Sequence, residues 1–270
     1  MRPLADRVAV VTGASPNIGG VLARGLASAG ARVVCTDVAD DVAKACADRI
    51  RSEGGEALAV VGDVTDESHA DDVVAQTLDR FGRVDVLLNN AVSFNRKGLF
   101  DMPLDQYRRQ IDIILGGSFL FTRAAARAMV DAGIGGSIIN VLSTAAWQGE
   151  PGNIAYSTAK SGMINFTRSA AMELAEHGIR VNGFTPTATQ PQDPEVIARM
   201  VAALQEPTKF PMDFYSQFPM DRLPSPEDYV GTVVFLASDD SRMITGSNIT
   251  VDGGATAKYW PWAPQRAHRP

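Results

Sequence analysis

Three residues have the types and spacing of a proton-transfer site: Ser143, Tyr156 and Lys160. Lys160 follows Tyr156 by four positions, so on a helix both side chains leave the same face, one turn apart. A phenol with a pKa of about 10 is a poor base at neutral pH. A neighbouring ammonium favours the phenolate and draws that value down. Ser143 closes the run Asn140-Val141-Leu142-Ser143, thirteen residues before Tyr156. Its hydroxyl there can polarise the oxygen of a bound alcohol or carbonyl compound. A bare Tyr-x-x-x-Lys is most often a solvated helix face; the neighbouring motifs give this one its meaning.

The stretch Thr12-Gly13-Ala14-Ser15-Pro16-Asn17-Ile18-Gly19 lies between a β-branched apolar run and a helical pattern. A glycine-rich turn at such a junction brings the backbone close to a pyrophosphate, which then rests on the helix N-terminus. Ordinary strand-to-helix turns share this composition, so the next acidic residue matters. Asp37 lies 24 residues after Gly13, at the end of the second apolar run. A carboxylate there accepts hydrogen bonds from the adenosine ribose hydroxyls and repels a 2′-phosphate. No Lys or Arg lies within 14–18 or directly after Asp37. The combination predicts NAD rather than NADP. An oxidised nicotinamide adds a second positive charge favouring the Tyr156 phenolate.

These residues need a scaffold, and the apolar pattern supplies one. Short runs at Val8–Val11, Arg32–Thr36, Ala57–Val61, Val84–Leu88, Ser137–Val141, Ile179–Phe184 and Asn248–Val251 are apolar on both faces. Such runs read as buried parallel strands. Helical spacing fills the gaps. Ile18, Leu22 and Leu26 fall four apart, and Ala29-Gly30 ends that helix. Asp66 caps a helix running to about Phe81, and longer helices span about Leu104–Asp131 and Ile154–Glu176. Strands alternating with helices predict an α/β fold with a doubly wound parallel sheet.

Composition narrows the function. The chain has 270 residues, 45% hydrophobic and 21% charged, with a net charge of −6. That is a packed globular chain, read as a single domain over 1–270, without internal repeats. The acidic balance and scattered basic residues exclude a nucleic-acid or anionic-membrane partner. No apolar run approaches the ~18 residues of a membrane span. The N-terminus leads straight into a strand pattern, not a signal peptide. Cys35 and Cys46, the two cysteines, suggest neither a disulfide framework nor a metal site. A cytoplasmic protein without metal is expected. Pro186 to Pro226 holds eight of the fifteen prolines, an amphipathic pattern (Val196, Ile197, Met200, Val201, Leu204) and the aromatics Phe210, Phe214, Tyr215 and Phe218. Because it follows the carboxyl end of the sixth strand, residues 187–225 are predicted to form a substrate lid. Residues 257–270 form an aromatic, proline-rich tail.

From Arg7 to about Ala255 the chain resembles the classical short-chain dehydrogenase/reductase family. The shared motifs are Thr12-Gly13 with Gly19, Asp63-Val64, Asn89-Asn90-Ala91, Ser143, Tyr156-Ser157-Thr158-Ala159-Lys160, Arg180-Val181-Asn182 with Pro186, and Thr245-Gly246 through Val251-Asp252-Gly253-Gly254. The resemblance implies a seven-stranded Rossmann-like sheet in the order 3-2-1-4-5-6-7. It implies that Tyr156 is the acid/base, that Lys160 lowers its pKa and holds the nicotinamide ribose, and that Ser143 orients the substrate oxygen. Gly13, Asn17, Ile18, Gly19 and Asp37 would hold the dinucleotide. Asp63 and Val64 would flank the adenine, Asn90 a ribose, and Pro186 to Thr189, Thr187 included, the nicotinamide. Family members are usually dimers or tetramers built on the two long helices.

Four positions depart from that pattern. Asn17 replaces the middle glycine of the nucleotide turn, Val92 the glycine after Asn-Asn-Ala, and Thr187 the glycine after Pro186. Ile114 falls where a catalytic asparagine usually sits, and the neighbouring Gly116-Gly117 pair is expected to allow an equivalent helix kink. The expected activity is hydride transfer between NAD and a secondary alcohol or ketone of partly apolar character. The alternatives are an NADPH-dependent 3-oxoacyl-type reductase and a catalytically silent dinucleotide-binding protein.

Overall fold

The computed structural model describes residues 2–198 and 218–259. Its strands are β1 (Val8–Thr12), β2 (Arg32–Asp37), β3 (Ala57–Val61), β4 (Val86–Asn89), β5 (Gly136–Val141), β6 (Ile179–Thr185) and β7 (Asn248–Thr250). They form one parallel sheet in the order β3-β2-β1-β4-β5-β6-β7, as expected. The helices are α1 (Ile18–Ser28), α2 (Asp40–Ser52), α3 (Glu67–Phe81), α4 (Leu104–Ile111), α5 (Gly117–Asp131), α6 (Ile154–Leu174) and α7 (Val230–Ala237).

Alternation along the central strands feeds two cores. Ala9 and Val11 of β1 pack with Leu22 and Leu26 of α1, Ile50 of α2 and Val233 and Leu236 of α7. Val8 and Val10 point the other way, onto Val73 and Phe81 of α3 and Phe121 and Met129 of α5. Successive side chains of a strand face opposite sides, so a strand covered by helices on both faces must be apolar throughout.

The structure adds to and corrects the sequence reading. α2 and α7 had no assigned counterpart, although Ala43, Cys46, Ala47 and Ile50 carry the helical spacing that buries α2. β4 starts at Val86, two residues later than the pattern suggested. Asp85 instead turns its carboxylate back to accept from the Val8 N–H (2.9 Å) and to pair with Arg7 and Arg83. β5 stops at Val141, and Ser143 caps the short 3-10 turn Thr144–Ala146 rather than ending the strand.

The expected long helix Leu104–Asp131 is continuous but broken in register by a π-helical turn at Asp112–Gly116. By length and composition it could cross a membrane, contrary to the estimate from apolar runs, but half of its most apolar window is buried inside the fold. A core helix has that character. Residues 194–198 are helical. Met200, Val201, Leu204, Phe210, Phe214 and Tyr215 of the predicted lid lie outside the described residues, as do residues 260–270 of the tail.

Candidate active site

The nucleotide turn is shaped by close backbone approach. Gly13 has φ +68°, and a Cβ on it would lie 2.7 Å from the Ala91 Cα. A Cβ on Gly19 would lie 2.0 Å from the Gly13 carbonyl oxygen. Only glycine satisfies either position. Asn90 locks the turn from the other strand, its Nδ2 donating to the Gly13 carbonyl at 2.7 Å. The Thr12 hydroxyl accepts from the N–H groups of Asn90 and Ala91.

Asn17 has φ −89°, so the turn does not need a left-handed backbone at the position of the family's middle glycine. It precedes α1 without making a side-chain cap, no acidic residue lies in the first turn, and its buried Oδ1 has no partner. In the first turn of α1 the Gly20 N–H donates to the Ser15 carbonyl at 2.6 Å and the Val21 N–H to the Asn17 carbonyl, which leaves the Ile18 and Gly19 N–H groups facing the glycine cradle for an outside acceptor. Two unclaimed N–H groups at a helix N-terminus, reached over glycines, fit a dinucleotide phosphate.

Asp37 stands at the end of β2. Its carboxylate accepts from the Ala39 N–H at 3.1 Å, and burial raises its pKa against the pull of the Ala39 and Val38 amides. Asp63 and Val64 lie beyond the end of β3. Asp63 accepts from the Thr65 N–H and hydroxyl and pairs with Arg109 of α4. Val64 is buried against Gly117, where a Cβ would meet it at 2.9 Å. The sequence reading passed over Arg109, because the pairing crosses 46 residues.

Tyr156 and Lys160 stand on the first two turns of α6, one turn apart and buried. The Tyr156 side chain is hydrogen-bonded to Ser143, whose Oγ also accepts from the Ala145 N–H at 3.2 Å. Lys160 Nζ donates to the Val141 carbonyl at 2.5 Å and lies 5.7 Å from the Tyr156 ring centroid. Burial pushes the Tyr156 phenol up to about 12, with the Ser143 bond opposing it. Burial also pulls Lys160 down to about 7. The chain's own residues thus do not produce the expected depressed phenol. Lys160 is itself desolvated, so its positive charge is costly to keep.

Ile114, in the π turn, packs with Leu142, Tyr156, Ala159 and Met163. Its carbonyl accepts from the Ser118 hydroxyl at 2.6 Å. A π-helical turn stands where the kink is expected, and Gly117 lets the helix approach Val64 just beyond it. Beneath lies a polar ladder: Asn89 donates to Asn140 and Thr122, and Asn140 to Thr167.

The segment after β6 closes the same edge. The Pro186 carbonyl accepts from the Thr144 N–H, and the Thr144 hydroxyl donates to Thr187. Thr189 bonds Tyr229 at 2.7 Å. Phe94, half exposed, lies 4.4 Å from the Tyr156 ring at 31°. Its loop is held where Gln110 donates to the Ser93 carbonyl. Sequence reasoning missed Phe94; its place just after Asn89-Asn90-Ala91 was the available clue.

Comparison with known proteins agrees with this geometry. The family model described as enoyl-(acyl carrier protein) reductase matches residues 13–256. The cis-4-hydroxycyclohexanecarboxylate dehydrogenase of Sinomonas cyclohexanicum is 41% identical over 261 residues, covering 94% of this chain and 98% of that protein. A 3-oxoacyl-[acyl-carrier-protein] reductase of Synechocystis is 37% identical, over 94% of this chain and 98% of the relative. A short-chain type dehydrogenase/reductase from Mycobacterium marinum superposes with a TM-score of 0.83 at 34% identity, covering 95% and 98% of the two chains. A parallel sheet carrying a glycine cradle at one strand end and a Ser-Tyr-Lys group at another defines a nicotinamide-dependent oxidoreductase. The chain belongs to the short-chain dehydrogenase/reductase family.

Proposed function

We propose that the protein is an NAD-dependent dehydrogenase interconverting a secondary alcohol and its ketone, on a substrate with an apolar, ring-like body. The observation that carries this reading is the Tyr156 phenol, hydrogen-bonded to Ser143 and overlaid by Phe94. The Sinomonas relative, named for a hydroxylated cyclohexane ring, supports the substrate class.

Gly13, Asn17, Ile18 and Gly19 would hold the pyrophosphate, Asp37 the adenosine ribose, Asp63 and Val64 the adenine, and Asn90 and Lys160 further ribose atoms. Pro186, Thr187 and Thr189 would line the nicotinamide side. When bound, the nicotinamide supplies the hydride acceptor and a positive charge that favours the phenolate. Tyr156 takes the proton from the alcohol oxygen in oxidation and returns it in reduction. Ser143 donates to that oxygen and fixes its position. Lys160, titrating near neutrality, exchanges a proton at small cost. The Ile114 carbonyl, which accepts from Ser118, would be the backbone acceptor for a relay water. Phe94 keeps the phenol dry and offers its face to an apolar ring.

The Synechocystis relative favours a second reading, an NADPH-dependent 3-oxoacyl-type reductase. That reading needs a cation for the 2′-phosphate, yet 14–18 hold none and the residue after Asp37 is Val38. Titration with NADH and NADPH, followed by melting temperature, separates the two, because a ligand bound only by the native state raises its stability. Tyr156→Phe tests catalysis itself. We expect kcat to fall by roughly 10²- to 10⁴-fold with NADH affinity nearly unchanged. Turnover persisting in that variant removes Tyr156 from the role. We also place the protein in the cytoplasm as a homotetramer or dimer, which light scattering tests.

A further inference from the structure

The two cysteines take no part in the chemistry above, yet the fold brings them together. Cys35 lies on β2 and Cys46 on α2, and the Cys35 thiol donates to the Cys46 sulfur at 3.4 Å. Both are free thiols. Cys35 is fully buried, while Cys46 retains 8% exposure and is the sulfur nearer solvent. The eleven-residue step between them contains Asp37 and the Val38-Ala39 turn whose amides hold its carboxylate. The Cys35 thiol's hydrogen bond holds the Cys46 thiol below its ordinary range, with Arg24 adding to it and burial opposing it. Cys46 is thus both the more accessible sulfur and the better nucleophile.

We propose that Cys35 and Cys46 form an oxidation site for hydrogen peroxide, closing to an internal disulfide that loosens the Asp37 grip on the adenosine ribose. The balance is simple. The Cys46 thiolate attacks one peroxide oxygen, forming the sulfenic acid and releasing hydroxide, which takes a proton to become water. The Cys35 thiol, as its proton leaves, attacks the Cys46 sulfur and expels the second water. Two electrons pass from the sulfurs to the peroxide. An S–S bond is about 2.05 Å long, so the sulfurs must close by more than an ångström. That draws α2 toward β2 and disturbs the turn between them. The effect on the ribose rests on the reading of Asp37 given above.

The experiment exposes the reduced full-length protein to a small excess of hydrogen peroxide. It is then alkylated with iodoacetamide in denaturant, and its intact mass and peptides are measured. The expected product has lost two hydrogens, carries no alkyl label and yields a cross-linked Cys35–Cys46 peptide. The same oxidised sample should bind NADH roughly tenfold more weakly, the order expected for losing a hydrogen bond to a charged group, and dithiothreitol should restore it. Peroxide should leave the NADH affinity of Cys46→Ser unchanged. Two alkylated cysteines after treatment, or a sulfinic mass without a cross-link, overturn the proposal, as does a disulfide with unaltered NADH affinity. If the reduced protein binds neither NADH nor NADPH, the Asp37 reading fails and the ribose effect falls with it, while the mass still decides the disulfide.

Discussion

Replacing Lys160 by Met tests whether burial governs the proton-transfer group. Burial holds Lys160 at about 7, against its ordinary 10.5. In the unfolded chain the side chain stays charged up to that ordinary value. Between the two, the unfolded state binds the extra proton, so native stability rises with pH. Below about pH 7 the full cost of burying the ammonium is present; above 10.5 it is gone. The slope is about 1.4 kcal/mol per pH unit, and the whole span corresponds to about 5 kcal/mol. Tyr156 acts in the opposite sense. Its phenol, raised from 10.0 to about 12, loses stability for the fold only as pH climbs past the unfolded value. The interval from pH 7 to 9 therefore isolates Lys160. Urea unfolding of the cofactor-free wild type and Lys160→Met at pH 6, 7, 8 and 9 gives the difference directly. The wild type should gain on the variant by roughly 2–3 kcal/mol from pH 7 to 9 and show little change below 7. A difference that stays flat from 7 to 9 refutes the reasoning, because Lys160 would then keep its ordinary proton affinity inside the fold.

Three further outcomes follow from distances in the site. Asp37→Ala should weaken NADH roughly tenfold while leaving NADPH no weaker; equal losses for both in calorimetric titrations would remove Asp37 from the ribose. Ser118→Ala leaves the Ile114 carbonyl without its 2.6 Å donor and should cost about 1 kcal/mol in urea unfolding; an unchanged midpoint would show that water replaces the hydroxyl freely. Gly117→Ala drives a Cβ to 2.9 Å from Val64 and should cost roughly 1–3 kcal/mol by overpacking. A stabilised variant would show that α5 shifts without resistance.

Much of this protein was legible because its informative contacts are local or repeat a simple period. Tyr156 and Lys160 share one helix face, and the turn from Gly13 to Gly19 joins one strand to one helix. Strands apolar on both faces announced their burial between two helical layers. What escaped depends on separation along the chain. Arg109 reaches Asp63 across 46 residues, and Phe94 reaches Tyr156 from a different loop. Local composition offers no trace of the first pairing, and for the second only the place of Phe94 just after Asn89-Asn90-Ala91. The shifted start of β4 has the same origin: Asp85 leaves the strand pattern to satisfy Val8, 77 residues away.

Ile114 shows why a lost side chain need not mean a lost device. The break in register of the long helix is a property of the backbone, and the π turn from Asp112 to Gly116 supplies it. Gly117 lets the helix past Val64, and the Ser118 hydroxyl satisfies the Ile114 carbonyl on the inside of the turn. The isoleucine side chain contributes instead to the apolar packing around Tyr156, beside Leu142, Ala159 and Met163. Apolar packing of this kind removes water from the phenol and its lysine neighbour, and desolvation is the largest influence on both. An isoleucine here thus exchanges a polar contact for a drier site. In a drier site every charge brought to Tyr156 acts more strongly, since the surrounding dielectric is lower. The departure from the family pattern and the perturbed proton affinities are therefore consequences of one packing arrangement.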